Sequence, residues 1–156
     1  MNTETIIQEI QGVRRYFERV TSVFEDEHGD YAPTPDQFTV AQQVFHVAQT
    51  IDWAMEGIFG KGWEMDIEKH VAEAKSVASL TEARAALARA FENAEVIINS
   101  QSPEELAATL PADDIVLPGQ PRANVVFAIT DHTAHHRGSL AVYARLLGKV
   151  PPIPYM

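Results

Sequence analysis

Apolar residues recur at three- and four-residue steps along most of the chain, the spacing that keeps them on one face of an α-helix. Ile6, Ile10, Val13, Phe17, Val20 and Phe24 predict a first helix over about Glu4 to Glu27. The stretch His28–Phe38, HGDYAPTPDQF, carries a glycine and two prolines and reads as a loop. His28, at its edge, is expected to be a solvated loop residue. A second helix is predicted from Thr39, with Gln42 three positions on as a capping box, to about Phe59, before Gly60 and Gly62. Its stripe is Val40, Val44, Val47, Ile51, Met55 and Ile58. Lys61–Ala78 is ambiguous between loop and short helix. A third long helix starts near Ser79, with Glu82 predicted to complete another capping box, and presents Leu80, Ala83, Leu87, Ala90, Phe91, Ala94 and Ile98. Ser102-Pro103-Glu104-Glu105 has the cap and first-turn proline of a short helix. Pro111–Pro121 reads as a loop or short extended piece around Ile115, Val116 and Leu117. The fourth long helix begins near Pro121–Ala123 and stops at Gly148, with Pro151 and Pro152 beyond it.

Four long amphipathic helices define an all-α chain folded as a four-helix bundle, a single domain over residues 1–156. Phe45, His46 and Trp53 lie off the main stripe of the second helix. That makes the helix apolar on more than one side and leads us to expect a homodimer interface there.

Composition narrows the function. The formal net charge of −10 opposes a phosphate backbone, and no basic patch offsets it, because Arg14, Arg15 and Arg19 sit among Glu9, Glu18 and Glu25. Nucleic acid is therefore not expected as a partner. No apolar run is long enough for a membrane helix. The segment MNTETIIQEI lacks signal-peptide character, so the cytoplasm is the expected compartment. With no cysteine, any metal must be held by His, Asp or Glu.

The chemistry concentrates in Asp131–Gly148, DHTAHHRGSLAVYARLLG. His132 and His136 are four residues apart, so on a helix they stand one above the other. Ile129, Leu140, Tyr143 and Leu147 place them in the core-facing stripe. Two imidazoles there can aim at one metal ion, or can bond each other, a carbonyl or water; spacing alone leaves both readings open. Thr133 follows His132, so the glutamate of a HExxH protease is missing. No glutamate stands three residues before either histidine, which removes the diiron Glu-x-x-His pattern. His46, midway along the second helix, is a candidate third ligand, although its angle around that helix does not by itself aim it at the fourth. His135 points about 100° away from His136, toward solvent or the rim. His70, among Glu68, Lys69 and Glu73, reads as a surface histidine.

The segment HTAHHRGSLAVYARLLGKVPP, with FTVAQQVFHVAQTIDWAMEG upstream, resembles the DinB-like family of metal-binding four-helix bundles along the whole chain. Ser139 stands where relatives often have glutamine. The resemblance implies a three-histidine site of His46, His132 and His136. It also implies one divalent ion, usually zinc or nickel, and frequently a homodimer. Relatives include transferases and isomerases that use low-molecular-weight thiols, and proposed metal-dependent hydrolases. The leading expectation is thus a metal-dependent enzyme acting on small molecules, of the thiol-dependent transferase or hydrolase type. Three neutral imidazoles would leave a coordination position open for a thiol or other small ligand. The alternatives are a non-catalytic or stress-response bundle with a structural metal, and a plain interaction bundle. Asp131 reads as a surface carboxylate or a support for a ligand. Asp52 and Trp53 are candidates to line a pocket, Trp53 more simply as packing. Arg137 is expected in an ion pair between helices or at an anion.

Overall fold

The computed structural model describes residues 1–155. Among these residues the chain forms α1 (Thr3–Thr21), α2 (Val40–Phe59), α3 (Ile67–Lys75), α4 (Leu80–Ser100), α5 (Pro103–Ala107) and α6 (Val125–Leu146). The four long helices, α1, α2, α4 and α6, form the bundle: α2 packs on α4 and α6, and α1 packs on α6 and α4. The stripes expected for α2 and α4 are buried in full and share one core with Ile6, Ile10, Phe17, Ile129 and Leu140. The only strand-like pairing in the described residues is a bridge between Thr109 and Pro121. No helix among them is long and apolar enough to cross a membrane.

Local chemistry sets the ends of these helices. Asn2 caps α1, its side chain accepting from the amide of Thr5 at 2.8 Å. Thr39 and Gln42 form the reciprocal box that starts α2. At α4 only half of the expected box is made: Ser79 accepts from the amide of Glu82, and the Glu82 side chain makes no return bond. Ser102 and Glu105 close a full box on α5 instead, with Pro103 in the first turn. At the other end of α6, Gly148 takes a φ of 74°, and Lys149 donates its amide to Ala144 at 2.9 Å. That is the left-handed ending for which glycine is suited.

α1 stops earlier than periodicity predicts. The Thr21 hydroxyl donates back to the carbonyl of Phe17 at 2.9 Å, and Ser22 donates to that of Arg19 at 2.8 Å. Such local bonds compete with helix continuation. Arg84, from α4, then donates to the carbonyls of Thr21 at 3.0 Å and Phe24 at 2.8 Å. Phe24 stays in the core, and the chain leaves through a 3-10 turn, Asp26–His28. His28 is not the solvated residue expected: half-buried, its Nδ1 accepts from the amide of Glu25 at 3.0 Å.

The ambiguous segment resolves into a loop followed by α3, which Asp66 caps. Trp63 in that loop lies flat on α2 at Gly57, where a Cβ would run into the indole ring. Its Nε1 donates to Asp114 at 3.0 Å, tying the loop to the one before α6. Trp53 meets Trp63 at a tilt with ring centroids 4.5 Å apart, and Phe45 packs against the core. Both side chains that argued for a second subunit are thus half-covered within the chain.

The guanidinium that closes α1 can be tested with Arg84→Met, which keeps the apolar stem. Two carbonyls lose their donor, and the expected cost is about 1–3 kcal/mol. Thermal unfolding reads it as a midpoint lower by several degrees; an unchanged midpoint would mean that water replaces the guanidinium without loss.

Candidate metal centre

α2 and α6 run side by side, and the histidines meet between them. His132 and His136 stand one turn apart on α6, with ring centroids 4.6 Å apart. His46 approaches from α2, its ring 5.0 Å from each of the other two. One nitrogen from each ring lies within 4.8 Å of the other two, so the three residues could hold a metal ion. Tetrahedral metal–imidazole geometry sets its nitrogens about 3.4 Å apart, so modest side-chain rotations close the set on an ion. No carboxylate belongs to this cluster among the described residues.

Gln43, buried at 3% exposure, supports the cluster from below. It precedes His46 by three residues, so it shares a face of α2 with it. Its Oε1 lies 3.0 Å from Nδ1 of His136. An amide oxygen only accepts, so this contact assigns the His136 proton to Nδ1 and leaves the Nε2 lone pair free. Metal-binding histidines are characteristically oriented by such a partner. Next to it, Tyr143 donates to the carbonyl of Phe38 at 3.1 Å. The Phe38 ring in turn sits 5.4 Å from that of His46. Thr50 Oγ1 is 3.5 Å from Nε2 of His132.

Burial drives the electrostatics. It lowers His136 to about 3 and His132 to about 4, with the neighbouring imidazoles adding to the effect in each case. Asp131 opposes the shift at His132. His46 is lowered mainly by burial, which Gln49 opposes and His70 reinforces. At neutral pH all three rings are therefore uncharged, the state in which imidazole is a ligand.

The remaining histidines and charges separate. His135 is exposed, edge-on to His136 and outside the cluster, as its angle around the helix predicts. Asp131 is exposed. Arg137 makes no inter-helix ion pair among the described residues: it lies over the rings of Tyr16 and Tyr155, at 5.8 and 5.6 Å, and clamps the C-terminal segment. Arg137 Nη2 also donates to the Tyr155 hydroxyl at 3.2 Å. Asp52 and Trp53 line a cavity of about 380 Å³ between α2, α3 and α4 that contains none of the three clustered histidines. His70 departs most from its expected place. It is half-buried on α3, with both ring nitrogens enclosed and unpaired, and shares a second cavity with His46 and His132.

Gln43 and His70 were the residues that the pattern did not single out. For Gln43 a signal existed: a polar side chain one turn before a histidine, on the helix face that continues to Thr50. For His70 the surrounding charges pointed the other way.

A helical bundle with a histidine cluster between two of its long helices defines the class of this protein. The chain belongs to the DinB family, whose model matches residues 1–156. A search of curated proteins finds no match.

Two measurements follow from the buried imidazoles. Unfolded histidines take up protons near 6.5, but His132 and His136 do so only near 4 and 3 in the fold. Between those values the unfolded chain binds more protons, so folding stability falls as pH drops. The metal-free protein is expected to be at full stability above about 6.5 and to lose it progressively toward about 3. His136→Gln is expected to flatten that slope in denaturant titrations across the acid range; a wild-type slope in the variant would contradict the assignment. The tautomer is open to nitrogen NMR of the metal-free protein. His136 should appear as the Nδ1–H form, and Gln43→Leu should release it to a mixture.

Proposed function

We propose that His46, His132 and His136 together bind one divalent ion, zinc or nickel, and that the protein is a metal-dependent enzyme acting on small molecules. A thiol-dependent transferase or a hydrolase is the reaction type that fits best. The observation that carries this reading is the donor set itself. Three neutral imidazoles, one fixed in tautomer by Gln43, face a common point that no carboxylate joins. Membership of the DinB family supports the same assignment. The cluster also borders a cavity rather than solid core, which gives a small molecule a route to the ion.

A bound divalent ion would supply Lewis acidity, and zinc and nickel accept thiolate donors readily. The chain's own residues do the rest. Gln43 orients His136. Thr50 stands beside His132. Phe38 sets its ring against that of His46, and the Tyr143 hydroxyl holds Phe38 in place through its carbonyl. The lowered pKa values keep His132 and His136 competent as donors well below neutral pH, and burial shifts His46 in the same direction.

Protein purified without a histidine tag should carry close to one equivalent of metal per chain by elemental analysis. His46→Ala, His132→Ala and His136→Ala should each lose it. Cobalt-loaded protein should show visible bands that shift when a small thiol is added, because one position remains exchangeable. Tight stoichiometric metal with spectra indifferent to every thiol and small anion would leave a structural metal in its place.

A further inference from the structure

The cavity that borders the histidine cluster measures about 230 Å³ and lies between α2 and α3. His46 and His132 line it, and Trp53, Ile67 and Val71 give it apolar walls. Its size is below that of pockets for drug-sized ligands, so it suits a single ring or a short chain. Two polar side chains interrupt the apolar lining, Gln49 and His70. Neither is satisfied. Gln49 Oε1 and both ring nitrogens of His70 are buried without a hydrogen-bond partner. Buried polar atoms are normally paired, and exceptions call for an explanation.

The orientation of Gln49 shows what is missing. Its Nε2 donates to Glu73 at 2.9 Å and to the carbonyl of His70 at 3.3 Å. Both amide protons are thus committed to the α3 side, and Oε1 is left as a fixed acceptor. The imidazole of His70 offers one more acceptor, since one nitrogen of a neutral ring has a free lone pair. The Glu73 carboxylate stands close by, 4.0 Å from His70 Nδ1. The other ring nitrogen of His70 is then an N–H donor without a partner, so a neutral hydroxyl or amino group, which both donates and accepts, meets this set, and the Glu73 carboxylate beside it repels an anion.

We propose that this cleft binds a small, ring-sized molecule with three features. One atom coordinates the ion held by His46, His132 and His136; an apolar body fills the space against Trp53, Ile67 and Val71; and a hydroxyl or amino group donates to Gln49 Oε1 and His70. Molecules with an anionic group in place of that donor are rejected. The proposal rests on the metal-centre reading above and adds the class of ligand.

Cobalt-loaded protein is titrated with 4-mercaptophenol, thiophenol and 4-mercaptobenzoate, following the visible bands. One recovered hydrogen bond to a buried acceptor predicts that 4-mercaptophenol binds about tenfold more tightly than thiophenol. 4-Mercaptobenzoate should bind more weakly than both. Gln49→Leu and His70→Phe should each bring 4-mercaptophenol to the level of thiophenol while cobalt binding is kept. A second arm uses metal-free protein with 4-methylphenol and toluene, read by tryptophan fluorescence and by NMR shifts of His70. It should show the same preference for the hydroxyl. If cobalt fails to bind, or binds without any thiol response, the metal-centre reading fails and the metal-free arm decides the cleft alone. Equal affinities across each set, or a hydroxyl preference that survives both substitutions, overturns the proposal.

Discussion

Three imidazoles occupy a water-poor space between α2 and α6, and they share it only by staying neutral. A proton on any one of them would be poorly solvated and would face two further rings about 5 Å away. Much of the surrounding structure follows from that constraint. The acidic side chains that dominate the chain's charge are kept out of the cluster among the described residues, with Asp131 turned to solvent. The group that meets His136 is a neutral amide. Phe38, set against His46, and Tyr143, which holds it, add no charge there.

The bundle was legible because its core obeys one rule. On α4 the apolar stripe maps residue for residue onto what is buried, and on α2 the whole stripe is buried with Ala41, Gln43, Ala48 and Ala54 beside it, since both helices put their main stripe against the same core. The ends were less legible, because side chains distant in sequence make them. Nothing near Thr21 in the chain announces that Arg84 will take its carbonyl. The histidine site divided in the same way. His132 and His136 stood out from spacing within one helix. His46 did not, because α2 packs on two long helices with different faces: its main stripe faces the core it shares with α4, whereas His46 faces α6. Family resemblance supplied that third residue where periodicity was silent. His70 was misplaced because its neighbours in sequence are charged while its neighbours in space are His46 and Trp53.

α3 has an unusual standing in this fold. It buries only Ala74, and its contacts run to α2. Ile67 and Val71, which wall the cleft, are exposed on their other side at 55% and 37%. The helix is held instead by polar ties: Gln42 to the carbonyl of Lys75, and Gln49 to Glu73. A wall fastened in this way is less costly to displace than a bundle helix, because little apolar surface leaves contact when it moves. The rigid half of the site, on α2 and α6, and its lightly fastened half, on α3, thus come from different kinds of interaction. At the opposite face of α6, Arg137 and two tyrosines pin the C-terminal segment by cation–π contact, away from the histidines.

Gln43 has a bearing on how such a centre changes over generations. Glutamine and glutamate differ by a single base in their codons and hardly at all in shape. The position touches His136 through one oxygen, and a carboxylate oxygen would make the same contact. A single inherited substitution at a buried residue could therefore add a full negative charge next to the donors while leaving all three histidines in place. Relatives with identical ligands need not share the same reactivity, and the residue to compare among them is the one that no metal touches.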